Sequence, residues 1–285
     1  MDIAGTLLTG LASASTLFLA AAGLTVIFGV TRVVNFAHGS LLMAAMFAAW
    51  LLWRAGIDPY LALPLVAAGG FGVGWALYRF VIGRVSRGED GAILLATLGV
   101  AVVLDNGALV LFGGDIRTVE TAYGFTMVEA GPLLIALPKL VAFGVSLLLA
   151  GALWAFMALT DTGRAIRAVT REPEGARLMG IRPDRIFALA YGIGTACLGA
   201  AGCLLLPSFY VSPQVGHVFV LVAFTTVVLG GMGSFPGAVL GGLLIGVTES
   251  LGGLLLGESL GPIGISVLFI AVLLLRPAGL FGARA

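Results

Sequence analysis

Long uncharged segments alternate with short charged ones along this chain. Residues 186–248 contain no Asp, Glu, Lys or Arg, and a stretch of this length is enough for three membrane crossings of about 20 residues each. The other segments long enough to cross a bilayer are 3–31, 33–53, 59–78, 91–114 (interrupted by Asp105), 140–160 and 259–275. The pattern predicts an all-α, polytopic bundle of transmembrane helices with about eight or nine spans, and a single domain over residues 1–285.

A charged island, residues 161–185, interrupts this apolar pattern. It holds six arginines and four carboxylates, which is ten of the 29 charged side chains of the chain. Short loops rich in Lys and Arg stay on the cytoplasmic side of a membrane. With the island inside, alternation of the spans also brings in Arg32, the 79–90 loop, Arg276 and Arg284, so that 12 of the 15 basic residues face the cytoplasm. The predicted orientation has the N-terminus outside and the C-terminus inside.

Within the island, a short helix is predicted by its own start and stop signals. Pro173 suits a first helical position, Glu174 favours the positive end of the helix dipole, and Gly180 is placed to end the helix. A helix of about seven residues is shorter than the roughly 12 to 15 needed for stability in water, so other parts of a structure must support it. Leu178 and Met179 offer apolar contact to a soluble partner. The alternative is a solvated loop whose arginines set the topology alone.

Composition limits the chemistry. At 60% hydrophobic and 10% charged residues over 285 positions, the chain is that of an integral membrane protein with no separate soluble domain. Its single lysine, Lys139, lies between Pro138 and Leu140 and not in a G-x-x-x-x-G-K-[S/T] phosphate loop, so any energy input must come from a partner or an ion gradient. Cys197 and Cys203 lie in an apolar segment and are interpreted as structural. No cofactor or metal site is predicted.

A few polar residues lie in or near the predicted spans, where an acidic side chain costs about 2.5 to 3.5 kcal/mol to insert. They are Asn35, His38, Asp105, Asn106 and Glu249. Each is a candidate for lining a polar path or gate. The alternatives are a packing role for Asp105 and Asn106 and an interfacial position for Glu249. For Asn35 and His38, the alternative is a turn in which both side chains satisfy free backbone groups.

Two segments leave the number of membrane crossings open. Segments 33–53 and 213–236 are candidates for re-entrant paths, and either would change the parity of the crossings. The outer loop 115–131 mixes charged and aromatic residues, which makes it a candidate surface for docking a soluble protein, with a plain connector as the alternative. Glycine pairs spaced four apart, at 70 and 74, 237 and 241, and 242 and 246, predict close contacts between helices in the bilayer.

Four segments in chain order resemble one known family. Residues 174–194, EGARLMGIRPDRIFALAYGIG, resemble the cytoplasmic coupling loop of the branched-chain amino-acid ABC transporter permeases. Residues 23–40, GLTVIFGVTRVVNFAHGS, resemble the first-span signature of that family, particularly of the H-type subunit of the permease pair. Residues 229–242, LGGMGSFPGAVLGG, resemble its late glycine-rich turn, and residues 276–282, RPAGLFG, its C-terminal ending. The resemblance covers nearly the whole chain.

The resemblance implies a permease subunit of an ATP-driven ABC importer that moves branched-chain or related amino acids across a bacterial inner membrane by alternating access. It implies a heterodimer with a second, related permease, two cytoplasmic ATP-binding subunits and an extracytoplasmic substrate-binding protein. No enzymatic activity of the chain itself and no nucleic-acid partner are expected. The residues that would contact an ATPase are Glu174, Gly175, Ala176, Arg177, Leu178, Met179 and Gly180. Family importers of urea, short amides or other amino acids leave the substrate open.

Two other functional classes compete with this interpretation. An ion-coupled secondary carrier would use Asp105, Glu249 and His38 as a proton path and would need no soluble partner. An intramembrane enzyme would need a nucleophile, but Ser234 lies in Gly-Ser-Phe-Pro-Gly, which is not the G-x-S-x-G elbow, and His217 has no evident geometric relation to His38.

Overall fold

The structure, a computed structural model, describes residues 3–85, 90–130, 133–256, 261–276 and 279–281, and most of them are helical. In chain order the helices are α1 (Ile3–Thr31), α2 (His38–Arg54), α3 (Pro59–Leu77), a π-helical turn (Tyr78–Ile82), α4 (Gly83–Val85), α5 (Asp90–Phe112), α6 (Leu137–Leu159), α7 (Asp161–Arg171), α8 (Pro173–Leu178), α9 (Pro183–Leu205), α10 (Val215–Gly230), α11 (Phe235–Leu256) and α12 (Gly261–Leu275). Two antiparallel strands, β1 (Met127–Ala130) and β2 (Leu133–Ala136), precede α6 and are an exception to the predicted all-α class.

The described residues contain six helices long and apolar enough to cross a membrane. They are Gly10–Thr31, Pro59–Val85, Gly91–Phe112, Leu137–Leu159, Pro183–Leu205 and Phe235–Leu255. Two shorter apolar helices, Val215–Gly230 and Ile263–Leu275, accompany them. The prediction of a helical, multi-pass membrane protein is confirmed, whereas the count of eight or nine crossings stays a prediction.

Prolines and polar caps explain where several helices begin. Proline is in the first turn of six of them, at positions 59, 138, 173, 183, 236 and 262, where its fixed φ fits and a backbone N–H is not needed. The Asp58 carboxylate accepts a hydrogen bond from the backbone N–H of Tyr60, at 2.8 Å, and so caps α3. The prolines near 207–213 and 236 divide the long uncharged stretch into α9, α10 and α11, as the sequence predicts.

Helices α1 and α9 form the centre of the bundle. Both are buried along most of their lengths, whereas few residues of α3, α5 and α6 are fully buried. Helix α3 packs along α9, α11 packs along α1, and the two central helices contact each other; α2, α6 and α10 add further contacts to them. The exposed faces of the outer helices are apolar, as expected of surfaces that face lipid or another membrane subunit.

All three predicted glycine pairs lie at helix contacts. The pair on α3 faces α9: a Cβ added to Gly70 would lie 2.7 Å from the backbone oxygen of Thr195. The other two pairs are on α11 and face α10 and α1 respectively. A Cβ added to Gly241 would lie 2.6 Å from the backbone oxygen of Thr226. These positions have no room for a side chain, because the backbones approach within contact distance.

Helices α2 and α10 both begin inside the bundle. The ring Nε2 of His38, the first residue of α2, lies 3.1 Å from the backbone oxygen of Ala20. Ala20 is 11 residues before the end of α1 at Thr31, which is about 16 Å along the helix axis. Helix α10 starts beside α2, since a Cβ added to Gly216 would lie 2.6 Å from the backbone oxygen of Gly39.

These inward starts correct the prediction of a continuous span over 33–53. The chain is not helical from 32 to 37, and α2 occupies 17 residues that begin at His38. Helix α10 has 16 residues, and it lies in 213–236, the other segment that the sequence marks as a candidate for a re-entrant path. Because each helix is shorter than a typical span of about 20 residues, a full crossing by either one stays a prediction.

Candidate functional site

The charged island 161–185 folds into two short helices and the start of a third. Helix α7 begins at a capped turn, in which the Thr160 hydroxyl accepts a hydrogen bond from the backbone N–H of Gly163 at 3.0 Å. It is amphipathic: Ile166 and Val169 are buried, and its charged residues are on the opposite, exposed face. The sequence analysis predicted the next helix, α8, but not α7, although alternating arginines and small or apolar residues over 161–171 carry the signal.

Helix α8 forms where the proline and glycine signals predict it, at Pro173–Leu178. Gly180 ends it with a φ of +82°, a left-handed conformation that glycine adopts at little cost. The backbone N–H of Ile181 then closes the helix end on the carbonyl oxygen of Ala176 at 3.1 Å. The two apolar side chains at the end of this helix stay outside the fold: Leu178 is 89% exposed and Met179 is 83% exposed.

One buried residue attaches α8 to the bundle. Ala176 is buried in a cluster that also contains Ile166 and Val169 of α7 and Ile186 of α9. The guanidinium of Arg32, just after α1, donates a hydrogen bond to the backbone oxygen of Thr170 at 3.2 Å. Helix α8 is therefore connected to α7 and to the first turn of α9, and α7 is connected in turn to the residue after α1.

The charges of α8 form one weak ion pair. The guanidinium Nη1 of Arg177 lies 3.4 Å from a carboxylate oxygen of Glu174, and both side chains are more than half exposed. Such pairs contribute a few tenths of a kcal/mol to stability. Both groups are therefore available for contacts with a partner at little cost to the fold.

The structure brings the buried side chains of Asn35 and His38 together in a turn over residues 32–38, which we call the Asn35 turn. Each of these two side chains is 1% exposed. The side-chain amide oxygen of Asn35 accepts a hydrogen bond from the backbone N–H of Ala37 at 3.1 Å. The His38 ring contacts the backbone oxygen of Ala20. Within the described residues, the Asn35 Nδ2 and His38 Nδ1 atoms are buried with no hydrogen-bond partner. The Asn35 side chain thus satisfies a backbone N–H of the turn, whereas His38 contacts a carbonyl oxygen in the middle of α1.

The other three candidate path residues lie apart from this turn. Asp105 on α5 is 3.5 Å from the Nε2 of His217 on α10, a pairing that the sequence analysis missed. Asn106 is exposed and donates from its amide to the backbone oxygen of Val102 at 2.8 Å, within its own helix. Glu249 is partly buried near the far end of α11, where Lys139 at the start of α6 interacts with it electrostatically.

At the opposite end of the bundle, the loop after α5 is tied to the helices. The Tyr123 hydroxyl donates a hydrogen bond to the Asp58 carboxylate at 2.8 Å, and its ring stacks on Tyr60 with centroids 5.1 Å apart. Burial raises the pKa of the Tyr123 phenol above its usual value, and the hydrogen bond to Asp58 raises it further. Arg117 forms a two-residue antiparallel bridge with Val211. These contacts fix the position of the loop, and the side chains of Ile116 and Phe125 are exposed on its surface.

Metal chemistry has no evident place in the described part of the chain, which contains no group of three or more His, Cys, Asp or Glu residues that could hold an ion. Both cysteines are free thiols on α9. At the arginine-rich end of the bundle, the notable feature is the exposed pair of apolar side chains, Leu178 and Met179.

These features define a class: a multi-pass membrane protein with a helical bundle and an exposed helix in an arginine-rich loop. A family model described as "Branched-chain amino acid transport system / permease component" matches residues 6–276, and the chain belongs to this family. The family resemblance inferred from the four sequence motifs is thereby confirmed.

The relatives include subunits of the H type. The high-affinity branched-chain amino acid transport system permease protein LivH of Salmonella typhimurium is 33% identical over 96% of this chain and 93% of its own length. The corresponding BraD protein of Pseudomonas aeruginosa is 32% identical over 97% and 94%. A more distant relative, the autoinducer 2 import system permease protein LsrD of Yersinia enterocolitica, is 27% identical over 72% of this chain and 61% of its own length.

A solved structure, PsaBC from Streptococcus pneumoniae in complex with Fab, matches 97% of this chain and 94% of its own, with a TM-score of 0.48 and 14% sequence identity.

Proposed function

We propose that this chain is the permease subunit of an ATP-driven importer, and that it moves branched-chain amino acids across the membrane by alternating access. The observation that carries the proposal is the exposure of Leu178 and Met179 on a helix that is attached to the bundle through Ala176. The substrate class is supported by the family description and by the printed names of LivH and BraD. The name of LsrD refers to import of a different compound, so urea, short amides and other amino acids are the alternative substrates.

In this proposal α8 is the coupling helix, and Glu174 to Gly180 contact a cytoplasmic ATPase. Burial of two large apolar side chains stabilises an interface by roughly 1.5 to 3 kcal/mol each. Arg177 and Glu174 flank them and supply charged contacts that fix the orientation of the helix. Closure of the ATPases pulls on α8, and its contacts with α7 and α9 carry the displacement into the centre of the bundle. Each bundle conformation is favoured by the partner that makes more contacts with it.

The assembly we propose contains a second, related permease in a heterodimer, two ATP-binding subunits and an extracytoplasmic substrate-binding protein. Residues 161–185 lie in the cytoplasm of a bacterial cell, the N-terminus lies outside the inner membrane, and the C-terminus lies inside. The outer loop 115–131 docks the binding protein; its support is that Tyr123 and Arg117 hold the loop in place while Phe125 stays exposed. ATP is hydrolysed by the partner subunits and not by this chain.

For the translocation path we propose the Asn35 turn as a gate. Two buried polar atoms without a partner lie where α2 begins beside α10, and such atoms are costly unless another state or a water satisfies them. A rearrangement between states would expose Asn35 and His38 to the path. Asp105, Asn106 and Glu249 are further candidates for lining it, and the contact between Asp105 and His217 provides a polar position on the α5–α10 side.

Two variants test the coupling role. Deletion of 174–180 should abolish ATP-dependent uptake of leucine into vesicles that contain the complete transporter. Replacement of Arg177 by Glu should give the same result, because it reverses the charge beside Leu178. The membrane domain should keep its thermal unfolding profile in both variants, since the helix contributes a single buried residue to the fold.

Arg164→Glu on α7 is the matched control, because it reverses an exposed arginine of the same loop that is paired locally with Asp161 at 3.0 Å. This variant should retain most of its uptake. Normal uptake by the deletion variant would overturn the coupling role. Uptake that persists without ATP and collapses when the proton gradient is removed would instead support an ion-coupled carrier.

A further inference from the structure

Beside α8 lies a large cavity whose lining includes two residues of the proposed coupling segment, Arg177 and Gly180. It has a volume of about 1140 Å³ and is bounded on one side by the end of α3, the π-helical turn and α4, and on the other by residues 177–189. We call it the basic cleft. Its polar lining is mostly guanidinium groups: Arg79 and Arg84 on the first side, and Arg177, Arg182 and Arg185 on the second.

The charge of the basic cleft is unbalanced. Among the described residues that line it, five are arginines and one, Asp184, carries a carboxylate. Arg177 forms an ion pair with Glu174, and it is the one cleft arginine that takes part in an ion pair with a described residue. The other four arginines therefore create a strong positive field in a concave space, where an anion with several oxygen acceptors gains bidentate hydrogen bonds from guanidinium groups.

The position of the cleft selects the kind of anion. It lies at the ends of α3 and α9, both long and apolar enough to span the membrane. Trp75 of α3 lines the cleft and is also part of the exposed outer surface, where its ring meets the exposed Phe80 edge-on with centroids 6.5 Å apart. Tryptophan is enriched where a membrane protein crosses the headgroup level. The cleft is thus continuous with a surface that faces acyl chains.

We infer that the basic cleft binds the headgroup of an anionic phospholipid, with the phosphate among the arginines and the acyl chains along the outer surface of α3. Basic pockets between membrane helices on the cytoplasmic side are suited to such headgroups. A soluble anion would use the arginines but not the adjoining aromatic surface. Because Arg177 belongs to both α8 and the cleft, a bound lipid also braces the coupling helix against α3. The binding itself depends on membrane insertion and not on the proposed transport function.

The test uses a photoactivatable phosphatidylglycerol in membrane vesicles that carry the full-length chain. We expect cross-links to peptides covering 75–85 and 177–189. The double variant Arg79→Gln with Arg182→Gln should lower this labelling at least about fivefold, since each arginine near a membrane surface contributes about that factor to attraction of an anionic lipid. Asp184→Asn should raise the labelling, because it removes the one carboxylate in the cleft.

The matched control is Arg164→Gln with Arg171→Gln, two exposed arginines of the same loop that do not line the cleft. It should label like the unmodified chain. Equal labelling by a phosphatidylcholine probe, an equal loss in the control, or no loss in the Arg79/Arg182 variant would overturn the inference. So would complete competition by inorganic phosphate at matched ionic strength, which would indicate a soluble-anion site. Labelling that appears only after ATPase subunits are stripped would assign the cleft to protein docking instead.

Discussion

Two regions of this molecule reverse the usual distribution of side chains in opposite ways. Helix α8 exposes Leu178 and Met179 although the rest of its loop is charged. The Asn35 turn buries Asn35 and His38 although the helices around it are apolar. The proposed function accounts for the exposed apolar pair by contact with a partner subunit. Buried polar groups are explained by the backbone that they satisfy, and here two of their atoms remain without a partner in the described residues.

Because α8 is exposed and the Asn35 turn carries buried side chains, substitutions in the two regions should affect different properties of the protein. Helix α8 has one buried residue, Ala176, so changes on its outer face should alter function while the fold keeps its stability. The Asn35 turn is anchored in the interior by the contact of His38 with α1, so changes there should lower stability as well as disturb the proposed gate. Four measurements follow, from the largest expected effect to the smallest.

The largest effect should come from replacing the exposed pair by charges, as Leu178→Glu with Met179→Glu. ATP-dependent leucine uptake should fall to background, because two carboxylates would have to be desolvated in an apolar contact. The matched control is Arg171→Glu on α7, which changes an exposed residue of the same loop. Leu148→Glu would not serve, because Leu148 is an exposed residue of a helix long enough to span the membrane. Full uptake by the doubly charged variant, at equal protein level, would contradict a partner contact at α8.

A second measurement makes the same substitution on α8 and at the residue that follows the Asn35 turn. In Gly39→Ala the new Cβ would overlap the backbone of Gly216, which cannot move without shifting α10. The free energy of unfolding should drop by about 3 kcal/mol, at the upper end for overpacking. In Gly175→Ala on α8 the new Cβ meets the flexible side chain of Glu172 at 3.0 Å, and stability should not fall. Similar melting temperatures for the two variants in the same detergent would remove the contrast.

The third measurement truncates the buried histidine. His38→Ala removes the contact with the Ala20 carbonyl and leaves a cavity, so we expect a loss of about 2 kcal/mol in unfolding free energy. His217→Ala provides the comparison, because His217 is mostly exposed. Thermal denaturation followed by tryptophan fluorescence checks both. A larger loss for His217 than for His38 would show that the Asn35 turn is not the stabilising feature described here.

The smallest effect should come from breaking the ion pair on α8. Glu174→Gln removes the carboxylate that faces Arg177, and the stability loss should be about 0.3 kcal/mol, because both groups are largely in water. A difference in melting temperature of several degrees would mean that α8 is bound into the fold more firmly than its exposure indicates. The same variant measured for uptake separates a contact with a partner from a purely local pair.

Much of the architecture follows from the sequence. The uncharged segments and their prolines define where α9, α10 and α11 begin and end, and the glycine pairs identify which faces pack closely. Pro173 and Gly180 delimit α8 because each acts on its own backbone. The four motifs identify the family for the same reason, since they are local patterns. Helix α7 and the hairpin before α6 were missed, as their signals are short and mixed.

What the sequence determined by itself is therefore local: apolar length, helix boundaries, the arginine-rich loop and the family. The tertiary structure decided which residues meet across long separations. It brought His38 to Ala20, Asp105 to His217, and the arginines after α3 to those before α9. The physical reason is that each pairing depends on how far helices slide along one another and how they are rotated, and those quantities are set by close packing between backbones and not by any single segment.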